Sequence, residues 1–471
     1  MRHVSVGVDA KGARRNTRLE ASLRAVAAAA RSVRNVTILA AGALVVIVYG
    51  FPGYMNYDSA DQLRQARVGV WDDWHPPVMA WYWHHVDKFV HGPLPLLVLQ
   101  VLLFTWGAYT LLKRRFKPRT AAFVTCALLL FPPVLTPIAV VWKDAQMAGW
   151  LVAGFALALG TRWRERIAGL VLLLLAAAVR DNGCAALPPL LLVVAASWGC
   201  RRWLAICAAG FALFVAITGG AFGLNHHVSK GHSYAWSKAN AIHDIAGTIC
   251  HAEPMTDDEV KAELVGIPLR QTTDLQQRFC QQYDPRWWFA LSFNEKGLFE
   301  TMPNEADRNA RRDAWFRLVG DHTAAFLQHR WLVTKELLGI TKDLPEEPVC
   351  QTFAGAPYQL KPIAHDASLS YFQRVMGKKF IKLSHTLLYR PWAYLLVGLI
   401  LCGYSIWRRD AFVVAIVASG FLYEASFLFG AAGPAYRYSH WLVTCVCVAT
   451  AIVFGDRLRS GARSEAIPPQ A

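Results

Sequence analysis

The chain is short of charge. Only 17% of its 471 residues are Asp, Glu, Lys or Arg, where soluble domains carry about a quarter. It also lacks the usual signatures of a soluble catalyst. No Gly-rich phosphate loop is present, so nucleotide folds have nothing to rest on. The ten cysteines form no CxxC pair, which excludes zinc ribbons and thioredoxin-like redox motifs. Internal repeats and low-complexity tracts are absent as well. What fills the chain instead is apolar: 54% hydrophobic residues, 18 tryptophans and a mean hydropathy of +0.26. That composition belongs in a bilayer.

Apolar runs of roughly membrane-crossing length recur at 35–51, 94–112, 120–141, 145–160, 167–179, 184–199, 203–223, 391–407, 411–430 and 440–455. We therefore expect an all-α polytopic membrane protein with about ten transmembrane helices. The 167–179 run is short, and pairs with 184–199 as a hairpin. The net charge of +16 is not a nucleic-acid footprint, because its cations gather in short loops between the runs. They lie at Arg14, Arg15, Arg18, Arg24, Arg31 and Arg34, then 113–119, 162–166, 201–202, 408–409 and 457–459. Alternate threading puts all of them on one face, which the positive-inside rule makes cytoplasmic. The partner this implies is the bilayer, not nucleic acid.

The chain then divides into a basic cytoplasmic tail (1–34), an N-terminal transmembrane module (35–223), an external helical segment (224–388), C-terminal transmembrane helices (389–456) and a cytoplasmic tail (457–471). The first apolar run lacks an Ala-x-Ala exit, so we expect an uncleaved helix. In the first external loop (53–92), residues 59–68 read as a polar helix with Ser59 as N-cap. Pro76-Pro77 starts a second helix, 78–90, whose Trp81, Tyr82 and Trp83 suit the headgroup interface. Cys250, Cys280 and Cys350 fall in the external segment, where two of the three can pair.

This threading brings every unusual polar residue to the external rim. Asp58 and Asp61 are three apart at a helix start, and an aspartate held partly out of water can act as a general base. Asp61 has the alternative of complementing the helix dipole. Asp73, His75 and Pro76-Pro77 form a turn able to orient a hydroxyl or a divalent ion, or merely to begin a helix. Lys143-Asp144 is either a snorkelling pair or a phosphate site at membrane depth. Arg180-Asp181 and Arg437-Tyr438 each sit in short turns between apolar runs. Three cations from three turns at one rim suit an anionic head group anchored in the membrane.

In order and placement, Asp58, Asp73-x-His75-Pro76-Pro77, Lys143-Asp144, Arg180 and Arg437-Tyr438 resemble the GT-C superfamily of integral-membrane glycosyltransferases, which includes protein O-mannosyltransferases and lipid A aminoarabinose transferases. The resemblance covers roughly residues 35–225, and beyond them only the external segment and the Arg437 turn. Ser59 follows Asp58 where the mannosyltransferases commonly carry an Asp-Glu pair, which favours a distant bacterial branch. The resemblance implies a GT-C-like fold in a bacterial inner membrane with a periplasmic active site. It also implies a polyprenyl-phosphate sugar donor and a glycan, lipid or protein acceptor. Asp58 would be the base, and Lys143, Arg180 and Arg437 would bind the donor phosphate. Asp61, Asp73, His75, Asp144, Asp181 and Tyr438 would assist. Asp61, Asp73 or His75 could hold a Mg or Mn ion. Two other readings stand beside this one: a flippase for a lipid-linked saccharide, and a polysaccharide polymerase or ligase.

Overall fold

The computed structural model describes residues 33–271, 273–292, 296–300, 305–343, 345, 348–352 and 369–465, with side chains to 456. Most of the basic tail and the whole C-terminal tail's side chains lie outside this set. Among the described residues the protein is helical and without strands; backbone pairing between segments is limited to isolated bridges.

The described chain begins with α1 (Val33–Gly50). It continues through α2 (Tyr57–Val68), α3 (Val78–Asp87), α4 (Leu94–Leu112), α5 (Pro118–Leu130), α6 (Pro132–Ile138), α7 (Lys143–Ala158), α8 (Trp163–Val179), α9 (Leu187–Ser197) and α10 (Trp203–Val228). The segment from 224 to 388, expected to be external, holds α11 (Ala235–Lys238), α12 (Asn240–His251), α13 (Asp257–Glu263), α14 (Leu275–Gln282), α15 (Glu305–Asp321), α16 (Thr323–Leu338) and α17 (Tyr371–Ser384). The chain closes with α18 (Pro391–Trp407), α19 (Ala411–Gly430) and α20 (His440–Glu465).

Among the described residues, five helices are long and apolar enough to cross a membrane: α1, α4, α10, α19 and the stretch Tyr436–Asp456 that contains most of α20. A sixth span results if α5 and α6, bent by 72° to one another, are one element. The bend has a local cause, since Pro132-Pro133 follows α5 directly and removes two backbone donors. The α9 and α18 stretches are apolar but shorter. α10 turns Trp203, Leu204, Phe211, Val215 and Phe222 outward, as a lipid-facing helix does. The inner helices pack closely where side chains vanish: a Cβ on Gly107 of α4 would come within 2.6 Å of the Ala153 nitrogen of α7.

The first external loop differs from its sequence reading in three places. α2 starts at Tyr57, because Asn56, not Ser59, is the N-cap. The Ser59 hydroxyl is committed elsewhere, donating to Val141 O at 2.6 Å. α3 stops at Asp87, three residues early. Trp83 is fully buried rather than interfacial, its indole donating to Gly92 O.

The external segment has a core of its own around Ile242, Ile249, Phe279, Leu291, Phe299 and Leu318. Cys250 and Cys280 form a disulfide between α12 and α14, leaving Cys350 as a thiol beside Thr352. Several polar ties hold this segment to the rim, two of them built on charged side chains. Asp73 accepts hydrogen bonds from Ser233 Oγ at 2.7 Å and Tyr234 N at 3.1 Å. Arg330 of α16 is the stronger tie. It donates to the Leu428, Ala431 and Phe427 carbonyls at the end of α19 (2.6, 2.9 and 3.0 Å) and to Asp244 at 3.0 Å. Asp244 is also bonded by His329 at 2.9 Å and Trp315 at 2.8 Å, and Tyr283 backs His329. A buried guanidinium thus satisfies orphan helix-end carbonyls and finds its counter-charge in one place.

Replacing Arg330 with Met strands a buried carboxylate and three carbonyls, and is expected to cost about 3–5 kcal/mol. Arg330→Lys should not rescue it, since one ammonium cannot serve all four partners. The measurement is thermal unfolding together with amide exchange in the last turn of α19; unchanged protection there would count against the tie.

Candidate functional site

Five stretches of backbone converge at one rim of the helices. The first is the start of α2, and the second is the turn before Pro76. The third is the irregular backbone of 139–142, which delivers Lys143 and Asp144 at the head of α7. Non-helical backbone at membrane depth must have its polar groups paired within the protein. Here Gln100 Nε2 donates to the Ile138 and Val140 carbonyls, Val141 N donates to Tyr54 O, and Ser59 covers Val141 O. Gln146 and Tyr82 extend the chain of bonds. The fourth and fifth are turns, Arg180 between α8 and the 3-10 turn Asp181–Ala186, and Arg437 in the 3-10 turn Tyr436–Ser439.

Their side chains form one cluster. Arg437 Nη2 pairs with Asp58 Oδ2, and Arg437 Nε stands 3.9 Å from Asp144 Oδ2. Arg180 Nε lies 3.2 Å from Asp144 Oδ1, which also accepts from the Tyr423 hydroxyl at 3.3 Å. Lys143 Nζ is 2.8 Å from His75 Nδ1, and His75 Nε2 is 3.8 Å from Asp58 Oδ1. Tyr438 is held between two guanidinia, 4.8 Å from Arg180 and 5.5 Å from Arg437, and stacks on Phe427 at 4.8 Å. Trp142 supports Arg437 from the other side.

Burial is uneven. His75, Lys143, Asp144, Arg180 and Arg437 are buried, whereas the Asp58 side chain is 26% exposed, so the cluster meets solvent at Asp58. Burial pushes the Asp58 carboxyl up, but Arg437 and Lys143 outweigh it and hold the group far below the usual carboxylate range. Burial and the neighbouring Lys143 push His75 down to about 3. His75 is therefore neutral near pH 7. With Lys143 donating to Nδ1, its proton sits on Nε2, which has no hydrogen-bond partner and points towards Asp58 across a gap too long for a direct bond. One Asp144 oxygen is likewise without a hydrogen bond. Counting Lys143, Arg180 and Arg437 against Asp58 and Asp144, the cluster carries one surplus positive charge.

Asp58, His75, Lys143, Asp144, Arg180, Arg437 and Tyr438, singled out from the sequence, are thus brought together. Three others are not in the cluster. Asp61 turns to Arg64 at 2.7 Å and Gln65 at 2.8 Å. Asp73 is spent on 232–234. Asp181 is exposed beside the cluster, within electrostatic reach of Lys143 and Arg180. Asp61, Asp73 and His75 therefore do not share a point in space. Among the described residues no group of three or more His, Cys, Asp or Glu side chains could hold a metal ion. We derive no step through a divalent cation. Tyr423 and Phe427 were missed, being ordinary apolar-helix residues in sequence. Glu424 beside them, buried and bonded to Ser439 at 2.8 Å, was the one visible signal, a carboxyl inside an apolar run.

Comparison with protein-family models, curated proteins and solved structures finds no match.

The His75 environment gives a pH prediction. The unfolded chain protonates this imidazole near 6.5, whereas the folded protein resists until about 3. The unfolded state binds more protons across that window, so stability falls as pH drops from 6.5 towards 3. His75→Gln should make the decline shallower by one proton, about 1.4 kcal/mol per pH unit. Thermal midpoints across the window provide the test, and an unaltered slope would mean His75 is not held neutral.

Proposed function

We propose that this protein is a membrane glycosyltransferase of GT-C-like architecture, with about ten membrane crossings, that moves a sugar from a polyprenyl-phosphate donor to a periplasmic acceptor. The supporting observation is the cluster itself: one carboxylate open to solvent, backed by three buried cations from separate turns with a surplus of positive charge. A base beside an anion site at the membrane rim is the pairing that transfer from a lipid phosphate needs.

In the reaction, the acceptor's hydroxyl or amine gives its proton to the Asp58 carboxylate as its lone pair forms a bond to the anomeric carbon. The bond from that carbon to the phosphate oxygen breaks, and the electron pair leaves with the lipid phosphate. The leaving group gains one unit of negative charge, which Arg437, Arg180 and Lys143 stabilise. The Nε2–H of His75 faces the same gap and can orient the acceptor oxygen.

Asp58 at rest is a weak base, because Arg437 holds it ionised. A donor phosphate seated on Arg437 draws that guanidinium away and returns basicity to Asp58. Base strength then rises only with donor bound, which protects the lipid-linked sugar from idle hydrolysis.

Asp58→Asn is expected to lower turnover by about 10²–10⁴, while donor binding is undiminished because Arg437 is released. Lys143→Met should instead weaken donor binding. Purified protein with a panel of polyprenyl-phosphate sugars, scored for released lipid phosphate, makes the measurement. Wild-type turnover in Asp58→Asn would sink the assignment of the base. Translocation of intact donor without phosphate release would favour a flippase, and a ladder of products a polymerase.

A further inference from the structure

The opposite ends of the helices hold a second polar feature that the transfer chemistry does not use. α4 and α18 finish there, α19 begins there, and α20 reaches it at Asp456. Between them lies a cavity of about 320 Å³ lined by Arg115, Ser405, Arg408, Arg409, Asp410 and Asp456 among others. Its volume falls in the range of about 300–1,000 Å³ typical of ligand sites.

The charges in the cavity are unequally matched. Arg115 takes both carboxylates, Asp410 at 2.7 Å and Asp456 at 3.7 Å. Asp410 is further committed as N-cap of α19, accepting from Val413 N. Arg408 and Arg409 make no ion pair among the described residues, so their charges face the cavity uncompensated. Arg409 holds a positive φ of 56°, disfavoured for a residue with a Cβ, at the tight turn that presents both arginines.

Independently of charge, Ser405 lines the same cavity. The residue is 1% exposed, and the hydroxyl has no hydrogen-bond partner. A buried hydroxyl left without a partner is unfavourable, so the site is completed by a group that accepts its hydrogen. Arginine pairs with a neighbouring hydroxyl are suited to the oxygens of a phosphate ester. The wall beside the cavity is lipid-facing: Ile406 and Trp407 of α18 are 61% and 74% exposed, and Arg408 lies over the Trp407 ring. A phosphate whose acyl chains run along α18 meets both conditions at once.

We propose that this cavity binds the phosphate ester of an anionic membrane lipid, with Arg408 and Arg409 on the phosphate oxygens and the Ser405 hydroxyl donating to one of them. The bound head group joins the α18–α19 turn to the ends of α4 and α20. This assignment stands on its own geometry, whatever reaction the opposite rim performs.

The test places the full chain in nanodiscs of phosphatidylcholine with a minor share of phosphatidylglycerol, and measures the anionic lipid retained after mild detergent exchange. The Arg408→Ala, Arg409→Ala double variant is expected to retain it about thirtyfold more weakly, as loss of two cations at a membrane surface implies. Ser405→Ala, a small change that leaves the turn intact, should lose severalfold. Arg201→Ala, Arg202→Ala is the control. It removes two exposed cations from the same face, since α10 starts there and ends at the opposite rim, but outside the cavity. Selective loss in the first two variants supports the proposal; equal loss in the control, or no loss in the double variant, overturns it. Competition by inorganic phosphate separates the sources. Retention in its presence supports a lipid ligand, and displacement would assign the cavity to a soluble anion and overturn the lipid reading.

Discussion

A guanidinium and a carboxylate brought together from opposite ends of the chain, Arg437 and Asp58, govern the geometry of this molecule's outer rim. Neither group can be left alone at a low-dielectric boundary, because an unpaired buried charge costs several kcal/mol. Their pairing therefore decides where the first loop sits relative to the last helix. Asp144 extends the same logic one step inward, drawing Arg180 and Tyr423 onto the neighbouring flank. The aromatic floor of Tyr438 and Phe427 then follows, since the planar cations need flat partners as well as charged ones.

The external segment contributes to this rim from a distance. Arg330 holds the end of α19, the helix that carries Phe427 and Tyr423, by its terminal carbonyls. Order in α16 is thereby passed to the floor under Arg180 without any residue of α16 entering the cluster. Asp73, expected at the site, serves the same end by another route, anchoring the start of the external segment to the first loop.

Much of the rim was legible in the sequence because the physics there is strict. Charged residues in short turns between apolar runs have few places to go, and one-sided threading sends Asp58, Lys143, Arg180 and Arg437 to the same boundary. Chemistry finer than that was not. Asp61 and Asp73 carry the same charge as Asp58 and lie within the same loop; their partners, Arg64 and Gln65 for one and 232–234 for the other, separate them from Asp58, which meets Arg437. The Asp244–His329–Arg330 group gave no signal at all, since in sequence it is three polar positions on two distant helices. Run lengths were legible only coarsely. Six of the apolar stretches meet the length of a crossing when the bent pair is one, and the remainder form shorter helices.

The Ser59–Val141 bond has a mechanical corollary. Ser59 is the residue after Asp58, and Val141 stands two before Lys143, so one short link bolts the helix that carries Asp58 to the strut that carries the ammonium. Breathing of the loop moves both together and leaves the gap between them constant. On the proposed function, what must give way for a donor to be seated is then the swing of a single long side chain, Arg437, so that the threshold would be set by the grip of one ion pair rather than by the stiffness of a lid.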